Sequence, residues 1–106
     1  MYRATTPTHT FTLPIETSTC NEIQLTYKQD DGDIVLVKHY QDGVLPEGMT
    51  LDGKDVNVFL TQEETKLFKK GKAYAQIRVL TNAQKVMASQ KMSMPVNDVF
   101  NEEVLA

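Results

Sequence analysis

Leu60-Thr-Gln-Glu-Glu-Thr-Lys-Leu-Phe-Lys-Lys-Gly-Lys-Ala-Tyr-Ala-Gln-Ile-Arg-Val-Leu80 is the stretch that decides the fold. Thr61 and Glu64 have the Thr-x-x-Glu spacing of a capping box, in which each side chain accepts a hydrogen bond from the other residue's backbone N–H. Gly71 follows two lysines, at the place where a left-handed residue closes a helix. These signals predict a helical corner of about two turns over residues 62–70.

The predicted corner needs side chains that fasten it to the rest of the protein, because a helix this short is unstable alone in water. Leu67 and Phe68 are expected to pack under the sheets for this reason. Tyr74 follows the corner, where immunoglobulin-like sandwiches often place a tyrosine whose hydroxyl anchors the turn. The alternative is an ordinary, partly exposed strand tyrosine.

Alternating apolar residues on both sides of the corner predict strands. After it, Ala73, Ala75, Ile77 and Val79 share one face of a long strand; before it, Val56, Val58 and Leu60 point one way, and Asn57 and Phe59 the other. Similar runs begin near His9, Ile23 and Met49. About seven short strands with one corner predict an all-β, immunoglobulin-like two-sheet β-sandwich.

Three finer expectations concern the remaining strands. The Asp-Gly pair in Gln29-Asp-Asp-Gly-Asp33 predicts a hairpin turn. The continuous apolar run Ile34-Val-Leu-Val37 predicts a strand covered on both faces. A last strand is expected from Lys85 to about Met94, stopped by Pro95. Period-two alternation places Val86, Ala88, Gln90, Met92 and Met94 on one face of that strand and Met87 on the other.

Bulk properties restrict the class of protein. The chain has 106 residues and a net charge of −3, which suits one domain and argues against a nucleic-acid binder. No apolar run approaches the length of a membrane span, and no signal peptide is recognisable, so a cytoplasmic location is expected. The single cysteine, Cys20, excludes an intrachain disulfide.

Catalytic and metal-binding patterns are not found in the sequence. His9 and His39 do not have zinc-ligand spacing, and we expect His9 at a sheet edge and His39 at a strand end. Asp30, Asp31 and Asp33 lack the order of a calcium loop. Cys20 is expected in a polar loop without a basic neighbour that would activate it. We therefore predict no catalytic residues, no metal and no cofactor.

The C-terminal segment, residues 96–106, follows a predicted β-sandwich domain of residues 1–95. Its apolar side chains are Val99, Phe100, Val104 and Leu105, set among acidic residues. They must pack on something, either on their own domain or, as an arm, on a neighbouring subunit. Phe59 and Met87 are further interface candidates if they lie on outer faces.

The corner pattern Leu-Thr-x-Glu-Glu-Thr-x-x-Phe-x-x-Gly-x-x-Tyr-x-x-Ile-x-Val resembles phage tail proteins, and is similar to the N-terminal domain of baseplate upper proteins and to small prophage-encoded proteins. Two other stretches carry the same resemblance, Thr5-Thr-Pro-Thr-His-Thr-Phe-Thr-Leu-Pro14 and Asn101-Glu-Glu-Val-Leu105. It implies a role in virion or tail assembly through protein–protein contacts. No long helix or receptor-binding domain of the kind found in longer baseplate proteins is recognisable after the predicted sandwich, so a direct receptor-binding role is not expected.

Three classes of function follow as hypotheses. The first is a non-enzymatic phage structural or adaptor protein that acts as an oligomer or with other phage structural proteins. The second is a carbohydrate- or peptide-binding sandwich, which would need exposed rings from Tyr2, Tyr27, Tyr40 or Phe59. The third is an enzyme, which would need a deep pocket lined by a histidine and carboxylates.

Overall fold

A computed structural model describes residues 1–29, 32–89 and 91–106. Within them the chain forms eight β-strands, one short α-helix and one 3₁₀ turn. The strands are β1 (Thr8–Thr12), β2 (Cys20–Gln29), β3 (Asp33–Gln41), β4 (Met49–Asp52), β5 (Asp55–Phe59), β6 (Gly71–Thr81), β7 (Val86–Ala88) and β8 (Met92–Val96). The helix α1 spans Gln62–Thr65, and the 3₁₀ turn spans Thr17–Thr19.

The strands form two antiparallel sheets, as the alternating sequence predicts. The smaller sheet has the order β1-β5-β4, and the larger has the order β3-β2-β6-β7, with β8 also paired to β6. The described strands follow the order B-E-D and C′-C-F-G of an immunoglobulin-like sandwich. The α1 corner connects β5 in the smaller sheet to β6 in the larger one, so it carries the chain between layers.

The core lies between the sheets and is filled by alternate residues. Val56, Val58 and Leu60 bring side chains from the smaller sheet, and Ala73, Ala75, Ile77 and Val79 from the larger; all seven are buried. Tyr27, on the second strand of the larger sheet, is fully buried. It lies on the strand where immunoglobulin domains place their buried tryptophan, so a large aromatic side chain again fills the centre.

The prediction that Ile34–Val37 is covered on both faces is wrong. These residues belong to β3, an edge strand of the larger sheet, where Ile34 is 60% exposed and Val37 is 41% exposed. The pairing with β2 shifts by one residue between Tyr27 and Lys28, which marks a β-bulge. An apolar run in sequence therefore lies at a sheet edge rather than in its centre.

The last predicted strand is divided in two, and its alternation is different from the expected one. Met87 pairs with Val79, while Met92 and Met94 pair with Ala75 and Ala73. Directly opposed residues share a face, so these three methionines all lie on the core-facing side, whereas Met87 was expected on the opposite face from the other two. The register of pairing with β6 changes by one residue between β7 and β8, so Met87 faces the same side as Met92 and Met94.

The end of the last strand and the start of β2 also differ from expectation. Pro95 does not stop the last strand but lies within β8, on the sheet edge where a residue without an N–H is tolerated. Cys20 is not in a polar loop; it is the buried first residue of β2, and burial raises the pKa of its thiol. The expectations for Asp30, Asp31 and Gln90 lie outside the described residues.

Candidate functional site

The capping box at the corner is present as predicted. The Thr61 hydroxyl accepts from the Glu64 backbone N–H at 3.1 Å, and the Glu64 carboxylate accepts from the Thr61 N–H at 2.9 Å. The helix, however, ends at Thr65 instead of residue 70. Gly71 has a φ of 140° and is the first residue of β6, so it does not close the helix.

Thr65, the last residue of the helix, connects the corner to another part of the chain. Its side chain is fully buried, and its hydroxyl donates to the carbonyl oxygens of Thr5 and Gln62, at 3.1 and 3.0 Å, as alternative acceptors. The same oxygen accepts from the Thr5 N–H at 3.2 Å. The hydroxyl thus binds the N-terminal segment to the corner, a role that no pattern in the sequence indicates.

Of the two side chains expected to fasten the corner, one does so. Phe68 is fully buried and meets the Tyr27 ring edge to face, with 5.6 Å between ring centroids. Leu67 is 57% exposed, so the prediction that it packs under the sheets is wrong. Tyr74 is also partly exposed and pairs with Lys28 and Ser93 on the outer face of the larger sheet, which favours the ordinary strand tyrosine.

An ion pair under the corner was not expected from the sequence. The Lys38 ammonium, nearly buried, donates to Glu64 Oε2 at 2.6 Å and to the Glu47 carbonyl at 2.9 Å. Burial opposes ionisation of Glu64, but the hydrogen bonds from Lys38 and Thr61 outweigh it and hold the pKa of this carboxyl below its ordinary value. Glu64 therefore caps the helix and neutralises Lys38 at once.

His9 lies on β1, an edge strand of the smaller sheet, as expected, but its side chain is directed into the sandwich and is partly buried. Its Nδ1 is 2.7 Å from the Tyr27 hydroxyl. Burial lowers the pKa of His9 and raises that of Tyr27, with the Glu64 charge adding to the second effect. Both groups are therefore neutral near pH 7, and the pair acts as a buried hydrogen bond.

Other chemical features are few in the described part of the chain. His39 lies on the outer face of β3, where its Nε2 is 2.9 Å from the Glu22 carboxylate. Among the described residues, no three His, Cys, Asp or Glu side chains gather into a group that could hold a metal ion. The part of the chain that the structure describes contains no helix with the length and apolar character needed to cross a membrane.

The C-terminal segment folds back along its own domain and is held at three places. Near its start, Asn97 donates its N–H to the Met1 carbonyl and accepts from the Arg3 N–H. Further on, the Arg3 guanidinium binds the Glu102 carboxylate and donates to the Lys66 carbonyl. At its far end, the Gln62 side-chain amide donates to the Leu105 carbonyl at 2.7 Å and accepts from the Leu105 N–H at 2.9 Å.

These contacts are polar, and they leave most of the segment's apolar side chains in water. Phe100 is fully exposed, Leu105 is 77% exposed, and Val104 is nearly half exposed. Val99 is half-buried. The segment is thus held in position on its own domain without burying Phe100, although burial would stabilise a phenylalanine side chain by about 2 kcal/mol.

The structure brings some of the interface candidates together and separates others. Phe59, Val104 and Leu105 line one depression of about 540 Å³ beside α1. Phe59 lies on the outer face of the smaller sheet, as the alternation predicts. Met87 lies elsewhere, over a small groove beside Leu13 and Val79. It lies on the core-facing side, opposite Val79, so the condition that made it an interface candidate, a position on an outer face, is not met.

Comparison of the chain with protein-family models, with curated proteins and with solved structures finds no match.

Proposed function

We propose that the protein is a non-enzymatic structural or assembly protein of a phage or prophage tail, similar in role to a baseplate component, and that it acts through protein–protein contacts. Its partners are further copies of itself or other phage structural proteins. It is made in the bacterial cytoplasm and enters the particle during assembly.

The observation that carries this proposal is the positioned but unburied C-terminal segment. Arg3 and Gln62 fix its course, so little conformational entropy remains to be lost on binding. Phe100 and Leu105 nevertheless face solvent. Exposed aromatic and aliphatic side chains on a pre-organised support are what a protein interface uses as anchors. The phage context is supported by the resemblance of residues 60–79 to tail proteins.

The first test measures self-association and its dependence on the segment. Light scattering after size-exclusion chromatography of the full chain should give a mass that rises above the monomer with concentration. Phe100→Ser should lower that mass, whereas Leu45→Ser, which changes another exposed apolar residue, should leave it unchanged. A second test is mass spectrometry of particles purified from the induced host, in which the protein should co-purify with tail proteins.

The alternative, a carbohydrate- or peptide-binding module, has weaker support. Tyr27, one of the four rings that could supply such a site, is buried in the core. Tyr2 lies beside Asn97, and Phe59 lies on the smaller sheet, so these rings do not form one platform. Glycan-array binding that is lost in Tyr40→Ala would favour this alternative over the assembly role.

A further inference from the structure

The outer face of the larger sheet is basic, although the chain as a whole is acidic. Among the described residues this face carries four cations and one carboxylate: Lys28, Lys72, Arg78, Lys91 and Glu22. The net charge of the whole chain is −3, so the charges are segregated. The one carboxylate is engaged with His39. A face of this kind attracts acidic partners.

A groove of about 380 Å³ crosses this face. Its described lining residues include Lys28 and Lys91, with Tyr74 on the strand β6 between them. Tyr74 is 36% exposed, and its ring supplies apolar surface between two cations. The groove therefore suits an aromatic side chain with carboxylates on either side of it, because the ring can pack on Tyr74 while the lysines meet the charges.

The C-terminal segment of this protein has that composition. From Asp98 to Ala106 it contains Asp98, Glu102 and Glu103, and no lysine or arginine. Phe100 lies between these acids and is fully exposed. In its own domain Arg3 pairs with both Asp98 and Glu102, and Gln62 binds Leu105; these contacts leave Phe100 exposed.

We propose that the C-terminal segment of one copy docks, through Phe100, in the basic groove around Tyr74 on a second copy. This inference rests on the proposed function and names the surface that the segment recognises. The segment and the groove are different surfaces, so the contact is heterologous. Repeated, it joins copies into a closed ring or an open chain, and each copy contributes one segment and one groove.

The experiment uses the full chain with two kinds of variant. The groove variant is Lys28→Glu with Lys91→Glu, and its matched control is Lys54→Glu with Lys85→Glu, which makes the same charge change at two turns. The segment variant is Phe100→Ser. We expect the groove and segment variants each to weaken self-association by roughly 30-fold or more, while the control associates like the original protein.

A mixture of the groove variant and the segment variant tests the contact more directly. The groove variant keeps an intact segment and the segment variant keeps an intact groove, so a mixture should form one-to-one dimers that neither variant forms alone. Raising the salt concentration should weaken these dimers, because exposed charges contribute to the contact. Mixed dimers that form only in this combination would support the heterologous contact directly.

Other outcomes would overturn the inference and separate it from the proposed function. If the groove variant associates normally while Phe100→Ser does not, the segment docks elsewhere; the inference fails and the assembly role stands. If the mixture stays monomeric although the original protein associates, the contact is not between segment and groove. If the original protein is monomeric at every concentration, both the inference and the homo-oligomer part of the proposed function fail.

Discussion

The ammonium group of Lys38 lies 2.6 Å from the carboxylate of Glu64, which fastens the edge strand β3 to the corner between the sheets. Lys38 points toward the core from an edge strand, where an unpaired charge would be costly. An inward-pointing lysine also makes it harder for a strand of another molecule to pair with β3. The bulge in β3 has the same effect. The exposed Ile34 and Val37 therefore lie on an edge that is protected against strand addition.

Replacing Glu64 should destabilise the fold strongly. In Glu64→Gln, Lys38 loses its counter-charge and the helix loses the charged half of its capping box. We therefore expect the free energy of unfolding to fall by about 3 kcal/mol. The matched control is Glu63→Gln, an exposed acid in the same turn, with an expected change within about 0.5 kcal/mol. Urea unfolding measures both. Equal effects in the two variants would contradict a structural role for the ion pair.

Stability should fall in acid in a way that depends on His9. Burial, aided by the N-terminal ammonium, lowers the pKa of His9 in the folded protein below its ordinary value of 6.5. The folded protein therefore favours the neutral His9 ring. The stability that depends on the neutral ring is fully present above pH 6.5, and it is lost as the pH falls through the lowered pKa of His9 in the folded protein. The lowered pKa of Glu64 has the same sign, with loss beginning at lower pH, below the ordinary 4.5.

Thermal unfolding of the original protein and of His9→Gln as a function of pH would measure this dependence. The variant should lose the part of the decline that begins near pH 6.5. His39→Gln, which removes the histidine on the outer face of β3, is the control and should keep that part. A decline of unchanged shape in His9→Gln would rule out His9 as its source.

The Thr65 hydroxyl should matter more than its place in a four-residue helix suggests. Thr65→Val keeps the shape of the side chain but leaves the Thr5 N–H without this acceptor in a part-buried site, at a cost of about 1 to 3 kcal/mol. Thr50→Val, on the exposed face of β4, is the control with little expected change. Hydrogen exchange at the Thr5 amide should also become faster. An unchanged exchange rate at Thr5 would argue against a hydrogen-bonded link between the N-terminal segment and the corner.

Two glycines with nearly equal backbone angles should respond differently to alanine. Gly48 and Gly43 have φ values of 78° and 80°. A Cβ at Gly48 would lie 2.5 Å from the Phe59 carbonyl oxygen, whereas a Cβ at Gly43 meets nothing within 4 Å. Gly43→Ala should lower the free energy of unfolding by about 1 kcal/mol through backbone strain alone. Gly48→Ala should lower it considerably more, because the Cβ also clashes with the Phe59 carbonyl. Chemical denaturation compares the two, and equal losses would mean that the backbone approach is easily relaxed.

Gln62 should control the position of the C-terminal segment without affecting the sandwich. Gln62→Ala removes both hydrogen bonds to Leu105, so the far end of the segment should gain motion on the nanosecond scale. Backbone NMR relaxation at Leu105 measures this, and the melting temperature should hardly change. Gln24→Ala, on the outer face of β2, is the control. A rigid Leu105 in the Gln62 variant would show that other contacts hold the segment.

The sequence by itself determined the sandwich and its corner. Alternation in residues 55–60 and 72–80 predicts which side chains are buried, because a strand has one inner and one outer face and only apolar side chains are stable inside. The spacing of Thr61 and Glu64 predicts the capping box, because that interaction is local. These signals need no knowledge of which strands are neighbours.

Tertiary structure alone decided the rest. The extra residue between β7 and β8 reverses the sides of the methionines, and the edge position of β3 exposes Ile34 and Val37. Lys38 and Glu64 are 26 residues apart, and Gln62 and Leu105 are 43 apart. Pairing at such distances depends on how the sheets stack and where the chain crosses between them, and no local pattern of residues specifies that.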